Sequence, residues 1–201
     1  MRVWGIVVAA GLGRRFGGPK QHVELGGEPI WQLARRALLA GGVSEAVVVG
    51  PVESGVPGGE RRRDSVMDGL RRVTIDKDFV LVHDAARPLA GPDLVARVIE
   101  RLQRGDVDGV VPVIPVRDTL KEIDGERVAG TRDRSALAAA QTPQGFRRSV
   151  LVDAHGAFVG DAVDDASMVE AAGGRVVWVE GDPANLKLTY PEDLRVLEAL
   201  L

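Results

Sequence analysis

The chain has 201 residues, of which 45% are apolar and 27% charged, with a net charge of −3 and no cysteine. These values are typical of a globular protein with one substantial core, and they exclude disulfides, thiolate zinc sites and thiol catalysis. The acidic balance and the lack of a long apolar run argue against a nucleic-acid surface and a membrane span, so we expect a cytoplasmic protein.

Short apolar runs alternate with amphipathic stretches along the chain, a pattern typical of βαβ units. The predicted strands are 3–9, 46–49, 79–82, 109–113 and 175–179, and the predicted helices are 30–40, 64–73, 92–104, 148–158, 165–172 and 191–201. The pattern predicts an α/β fold with a Rossmann-like, mostly parallel twisted sheet and helices on both faces. We expect residues 1–201 to form a single domain.

The stretch from about 115 to 142 departs from this alternation. Strand-like residues at 119–123 and 127–129 flank Asp124-Gly125, which is a strong signal for a tight hairpin turn. Charged residues dominate the segment. It is therefore predicted to project from the main sheet as a β-arm.

A glycine-rich, basic loop follows the first predicted strand, with the sequence AAGLGRRFGGPK at 9–20. Glycines let the backbone approach a ligand, and consecutive N–H groups form an anion-binding concavity. A Walker loop is excluded because Pro19 follows Gly18, and a dinucleotide fingerprint is excluded by Phe16. Arg15 and Lys20, with their neighbour Arg14, suit a triphosphate; the alternative is a flexible loop with solvated arginines.

A second candidate segment precedes the helix predicted at 64–73. Gly59, Glu60 and Ser65 offer backbone and side-chain groups that suit the edge of a base. The alternative is that Asp64 or Ser65 simply caps the helix.

The third candidate segment, His83-Asp84-Ala85-Ala86-Arg87-Pro88, ends the third predicted strand. Asp84 suits Mg²⁺ or a sugar hydroxyl and Arg87 suits an anion, the alternative being a capping aspartate with a surface ion pair. His83 is either a packed, hydrogen-bonded histidine or a base.

Taken together, these segments resemble the 2-C-methyl-D-erythritol 4-phosphate cytidylyltransferase family of the non-mevalonate isoprenoid pathway. The matching motifs are Ala9-Ala10-Gly11-Leu12-Gly13-Arg14-Arg15, Pro19-Lys20-Gln21, Arg62-Arg63-Asp64-Ser65-Val66, His83 to Pro88, Val116 to Lys121, Asp133-Arg134, Gln141-Thr142-Pro143-Gln144, Asp164-Asp165-Ala166-Ser167 and Asn185-Leu186-Lys187-Leu188-Thr189. They follow the family's order over nearly the whole chain.

The resemblance implies an enzyme that transfers CMP from CTP to 2-C-methyl-D-erythritol 4-phosphate with Mg²⁺, releasing pyrophosphate and forming CDP-methylerythritol. The catalytic residues that the resemblance implies are Arg15, Lys20 and Lys187. The nucleotide-binding residues that it implies are Ala9, Ala10, Gly11, Gly13, Gly59, Glu60, Ser65 and Asp84. The substrate-binding residues are Asp84, Arg87, Thr119, Arg134 and Lys187, and the candidate metal ligand is Asp84. It also implies a homodimer with arm exchange, in which Thr119 and Arg134 enter the neighbouring subunit's site.

Two other functions remain open at this point. A cytidylyltransferase for another polyol phosphate, such as ribitol 5-phosphate, would share the first three motifs and differ in its acceptor pocket. A non-catalytic nucleotide-binding domain would bind CTP without releasing pyrophosphate.

Overall fold

The computed structural model describes residues 2–74 and 78–201. Its strands are β1 (Val3–Val8), β2 (Glu24–Leu25), β3 (Glu28–Pro29), β4 (Glu45–Val49), β5 (Phe79–Asp84), β6 (Gly109–Pro115), β7 (Leu120–Asp124), β8 (Arg127–Arg132), β9 (Ala138–Ala140), β10 (Gln144–Arg147) and β11 (Val176–Glu180). Its helices are α1 (Ile30–Ala40), α2 (Arg62–Leu70), α3 (Pro92–Gln103), α4 (Arg148–Ala157), α5 (Asp165–Ala171) and α6 (Asp193–Leu200). Every predicted helix and strand is present, with ends displaced by a few residues at most.

The central sheet has the strand order β11-β6-β10-β5-β1-β4, and β9 adds to β6. β1 runs parallel to both β4 and β5, and β6 runs parallel to β11. The prediction of a mostly parallel sheet is therefore confirmed. β10 lies antiparallel between β5 and β6 and was not predicted, because its sequence QGFR has no run of apolar or β-branched residues.

Helices cover both faces of the sheet, as predicted. α1 and α3 pack against one face through apolar side chains such as Leu38 and Val98, and α2, α4 and α5 cover the other through side chains such as Val66 and Met168. β5 is buried at every position, which is typical of a strand covered on both faces. None of the helices in the described part of the chain is long and apolar enough to cross a membrane.

A smaller apolar cluster fastens the C-terminal segment to the start of the chain. Leu188 and Leu197 pack with Leu25 and Ile30, and Phe16 from the glycine-rich loop lies against them. The cluster therefore holds the residues just before α6 beside the loop that follows β1.

The predicted arm is present as a hairpin that stands outside the central sheet. β7 and β8 pair antiparallel as a separate two-stranded sheet. Gly125 has φ +57°, the left-handed conformation that such tight turns require. Ile123 and Val128 are 65% and 57% exposed, so both strands present apolar side chains to solvent.

Candidate active site

A cleft of about 290 Å³ lies at the carboxyl ends of β1 and β5. The two strands run parallel with Val8 opposite Asp84, so the loop after β1 begins beside that carboxylate. The walls of the cleft are this loop, the residues around the start of α2, the end of β5 and Lys187. Open α/β sheets bind ligands at this edge.

The glycine-rich loop is closed on itself by a turn at Gly13. The N–H groups of Phe16, Gly17 and Gly18 point at the Gly13 carbonyl oxygen, at 2.9, 3.0 and 3.3 Å. Gly13 has φ +61°, and a Cβ there would lie 1.9 Å from the Gly18 carbonyl oxygen. Only glycine fits this position, because any side chain would collide with the loop backbone.

The loop cations point toward the C-terminal segment. Lys20 Nζ donates a hydrogen bond to the Leu188 carbonyl oxygen at 2.7 Å, and Arg15 Cζ lies 5.9 Å from the centroid of the Tyr190 ring. Burial lowers the pKa of Lys20, and the positive charges of Lys187 and Arg15 lower it further. The three cations implied to be catalytic therefore line one cleft.

Asp84 is held between two cations at the floor of this cleft. Lys187 Nζ lies 2.6 Å from its Oδ2 atom, and Arg62 Nη2 lies 3.3 Å from its Oδ1 atom. Burial opposes ionisation of the carboxyl, but the charges of Arg62 and Lys187 outweigh it and hold the pKa of Asp84 well below its usual range. The group is therefore a carboxylate at neutral pH.

Arg62 also belongs to a buried ion-pair network that the sequence analysis missed. Its Nη1 atom lies 2.6 Å from Asp165 Oδ2, and His155 Nε2 lies 3.0 Å from Asp165 Oδ1. Burial opposes ionisation of Asp165, yet the charge of Arg62 keeps its pKa below the usual range. Arg62 and Asp165 both stand in motifs on which the resemblance rests, but neither was given a role, because the two residues lie 103 positions apart.

The segment before α2 packs directly on the start of the glycine-rich loop. A Cβ on Gly58 would lie 2.5 Å from Ala10 Cβ and 2.9 Å from Ser65 Oγ, so glycine permits the close approach. Ser65 is buried inside α2, and Asp64 accepts the N–H of Arg61 at the helix start. The capping alternative is therefore correct for Asp64 and wrong for Ser65.

Most of the residues implied by the resemblance meet in this cleft. Its lining includes Ala9, Ala10, Gly11, Gly13, Arg15, Lys20, Gly59, Glu60, Ser65, Asp84 and Lys187. Arg87, Thr119 and Arg134 are not among the lining residues. Arg87 Nη1 donates to the Asn185 carbonyl oxygen at 2.7 Å, whereas Thr119 and Arg134 are exposed within the arm segment.

His83 is fully buried, and both of its ring nitrogens are engaged. Nδ1 lies 2.9 Å from Thr142 Oγ1, and Nε2 lies 3.0 Å from the Arg87 carbonyl oxygen. Burial lowers the pKa of His83 to about 4, so the ring is neutral at pH 7. The structure therefore supports the hydrogen-bonded alternative for this residue and leaves no free nitrogen for a base.

Comparison with known proteins identifies relatives over the whole chain. A family model described as 2-C-methyl-D-erythritol 4-phosphate cytidylyltransferase matches residues 3–201. The 2-C-methyl-D-erythritol 4-phosphate cytidylyltransferase of Rhodococcus jostii is 45% identical, over 98% of this chain and 93% of its own length.

Solved structures agree with this match. The crystal structure of 2-C-methyl-D-erythritol 4-phosphate cytidylyltransferase from Thermus thermophilus has a TM-score of 0.82 and 38% identity, covering 100% of this chain and 98% of that one. The corresponding structure from Francisella tularensis has a TM-score of 0.86 and 26% identity, with 100% of each chain covered.

Proposed function

Because the chain belongs to the 2-C-methyl-D-erythritol 4-phosphate cytidylyltransferase family, and so transfers CMP from CTP to that polyol phosphate, we propose that Arg15, Lys20 and Lys187 carry the transfer. A phosphate oxygen of the acceptor attacks the α-phosphorus of CTP, and the bond to the β-phosphate oxygen breaks. Pyrophosphate leaves, and CDP-methylerythritol, an intermediate of non-mevalonate isoprenoid biosynthesis, is formed. The observation that supports these roles is the single cleft that the three cations line together with Asp84.

The nucleophile needs no general base. A phosphate monoester is already anionic at neutral pH, so catalysis depends on positioning and on stabilising negative charge in the transition state. The loop cations and Lys187 suit the second task, since all three line the same cleft. The engaged ring nitrogens of His83 are consistent with a reaction that does not use this histidine as a base.

The nucleotide is proposed to lie across the start of the glycine-rich loop. Its triphosphate would meet the backbone of Ala9, Ala10, Gly11 and Gly13, and its base would meet Gly59, Glu60 and Ser65. The contact of Gly58 with Ala10 supports this arrangement, because it joins the two segments into one wall. Asp84 would contact the nucleotide from the floor.

The acceptor is proposed to bind beside Asp84, Arg87 and Lys187. Thr119 and Arg134 would complete the acceptor site from the neighbouring subunit, in a homodimer that exchanges its arms. Both residues are exposed and lie next to the ends of the β7–β8 hairpin, which stands outside the central sheet, and this supports the proposal.

Magnesium is proposed as the cofactor. Among the described residues no group of three or more His, Asp or Glu side chains is arranged as a metal site; the proposed ligand, Asp84, is a buried carboxylate that lines the cleft. One carboxylate fits Mg²⁺, which commonly combines one or two carboxylates with substrate phosphates and waters. Asp84, which is ionised at neutral pH, would hold the ion, and the ion would neutralise phosphate charge. Chelation with EDTA is expected to abolish turnover and excess Mg²⁺ to restore it.

The protein is also proposed to be cytoplasmic, which cell fractionation tests. A pyrophosphate-release screen tests the function directly. Four nucleoside triphosphates are crossed with 2-C-methyl-D-erythritol 4-phosphate and ribitol 5-phosphate, and CTP with the former should react fastest. Faster reaction with ribitol 5-phosphate would show that the enzyme uses a different polyol phosphate as its acceptor. Binding of CTP without pyrophosphate release for any pair would identify a non-catalytic domain.

A further inference from the structure

Four hydrogen bonds form a closed ring through His83, Arg87, Asn185 and Thr142. His83 Nε2 lies 3.0 Å from the Arg87 carbonyl oxygen, and Arg87 Nη1 donates to the Asn185 carbonyl oxygen at 2.7 Å. Asn185 Nδ2 donates to the Thr142 carbonyl oxygen at 2.8 Å, and Thr142 Oγ1 lies 2.9 Å from His83 Nδ1. His83, Thr142 and Asn185 are buried, and the two bonds made by Thr142, to His83 and to Asn185, are shielded from water. The ring joins three segments that are far apart in sequence.

The chemistry of the partners assigns the proton of each ring nitrogen. A carbonyl oxygen only accepts, so His83 Nε2 must carry a hydrogen and donate it to Arg87. In the neutral imidazole Nδ1 is then an acceptor, and the Thr142 hydroxyl donates to it. The same hydroxyl oxygen accepts the backbone N–H of Asp84 at 3.0 Å. The Thr142 hydroxyl therefore donates a hydrogen bond to His83 and accepts one from the backbone of Asp84.

We propose that His83 is a positioning residue, which acts through this ring on the charged groups around the cleft. Those groups are Asp84, Arg87 and Lys187. Asp84 is next to His83 in the chain, Arg87 bonds to it through a carbonyl oxygen, and Lys187 follows Asn185 by two residues. The inference rests on the substrate-handling roles proposed above for the three charged groups.

Substitutions at His83 and Thr142 remove the hydrogen bonds of the ring one at a time. His83→Asn places an amide oxygen near the position of Nδ1 and removes the donor to Arg87, whereas His83→Gln places an amide N–H near Nε2 and removes the Nδ1 acceptor. Thr142→Val removes the hydroxyl and keeps the shape of the side chain, and Thr142→Ser restores the hydroxyl.

Steady-state kinetics with both substrates measures the effect. His83→Asn should raise the KM for 2-C-methyl-D-erythritol 4-phosphate about tenfold and leave the KM for CTP within about twofold, since the hydrogen bond from the His83 ring to the Arg87 segment is lost. His83→Gln should keep the acceptor KM close to that of the unaltered protein. Thr142→Val should lower kcat about tenfold, and Thr142→Ser should recover it to within about twofold.

Equal rises in both KM values for His83→Asn, or unchanged kinetics for both His83→Asn and Thr142→Val, would overturn the proposal. The tautomer is also measurable in the unaltered protein by ¹⁵N NMR of the histidine rings, where the proposal requires a protonated Nε2 and a bare Nδ1 on His83. A protonated Nδ1 with a bare Nε2 would overturn the proposal even where a variant does not fold. Failure of the proposed acceptor site can be distinguished from failure of the role proposed for His83. If the acceptor site is wrong, Arg87→Ala would leave the acceptor KM unchanged, while the His83 tautomer would stay as assigned.

Discussion

Lys20 is one of only four lysines in a chain with 26 basic residues. Its ammonium donates to the Leu188 carbonyl oxygen at 2.7 Å and shares the cleft with Arg15 and Lys187. Burial and these neighbouring charges lower its pKa, so the cleft holds its positive charges at an electrostatic cost. A bound triphosphate would relieve that cost, because it brings negative charge to the same place.

We predict that Lys20→Ala lowers kcat by about 10²- to 10³-fold, the usual effect of removing one group that stabilises a transition-state charge. The melting temperature should change little, since a half-buried cation among like charges contributes little to stability. Arg104→Ala, which removes an exposed cation just after α3 that is not among the residues lining the cleft, is the matched control and should lose far less activity. Equal losses in the two variants would contradict a specific role for Lys20.

Site residues carried by short motifs were predictable from the sequence, whereas those fixed by tertiary packing were not. The loop glycines, Lys20 and Asp84 follow predicted strands, and parallel strands bring such loops to one edge. Arg62 was missed as a site residue because its partner Asp165 lies 103 residues further along the chain. No local pattern reveals that an arginine is paired with a buried acid on a distant helix.

At the scale of elements, a buried ion pair fastens the helices on one face of the sheet to the cleft. Arg62 on α2 bonds to Asp165 on α5, which in turn bonds to His155 on α4. Asp165 and His155 are buried, and Arg62 reaches Asp84 at the end of β5. Movement of α5 would therefore alter the orientation of the cleft carboxylate.

We predict that Asp165→Asn lowers the free energy of unfolding by about 3–5 kcal/mol at pH 7, because Arg62 loses a buried partner. The pKa of Asp165 is depressed in the folded protein, so the stabilisation is present above the unfolded pKa of about 3.9 and is lost as the pH falls through the folded value. Denaturant unfolding should show a constant gap between the two proteins above about pH 5 that narrows below about pH 4.

Asp153→Asn on α4 is the matched control for this measurement, since its carboxylate is exposed. It should change the free energy of unfolding by less than about 0.5 kcal/mol. A gap for Asp165→Asn that stays the same from about pH 7 down to about pH 2.5 would show that the charge of Asp165 is not the source of the stability.

Element prediction succeeded where sequence periodicity was strong and failed where the sheet supplied the structure. α1 was predicted with its observed ends, because apolar residues recur at helical spacing and Gly41-Gly42 follows. β9 has the sequence AAA and β10 the sequence QGFR, and neither carries a strand pattern. Both are strands because β5 and β6 offer hydrogen-bonding edges to them.

At the scale of the whole molecule, the arm formed by β7 and β8 stands outside the central sheet and is not stabilised by it. β7 and β8 pair only with each other among the described strands, and Ile123 and Val128 remain exposed. A two-stranded hairpin is at best marginally stable alone, so packing against a second subunit would stabilise it. The proposed exchange of arms would also bring Thr119 and Arg134 to the acceptor site.

Complementation between two inactive variants tests whether the arm acts on the neighbouring subunit. Lys20→Ala removes a cleft cation and keeps the arm, whereas Arg134→Ala alters the arm and keeps the cleft. In a mixed dimer with exchanged arms, one site combines an intact cleft with an intact arm, and the other site carries both defects. Equal amounts of the two variants should therefore regain about a quarter of the activity of the unaltered protein after subunit exchange, because half of the dimers are mixed. If each arm served its own subunit, every site would keep one defect and the mixture would stay as inactive as its components.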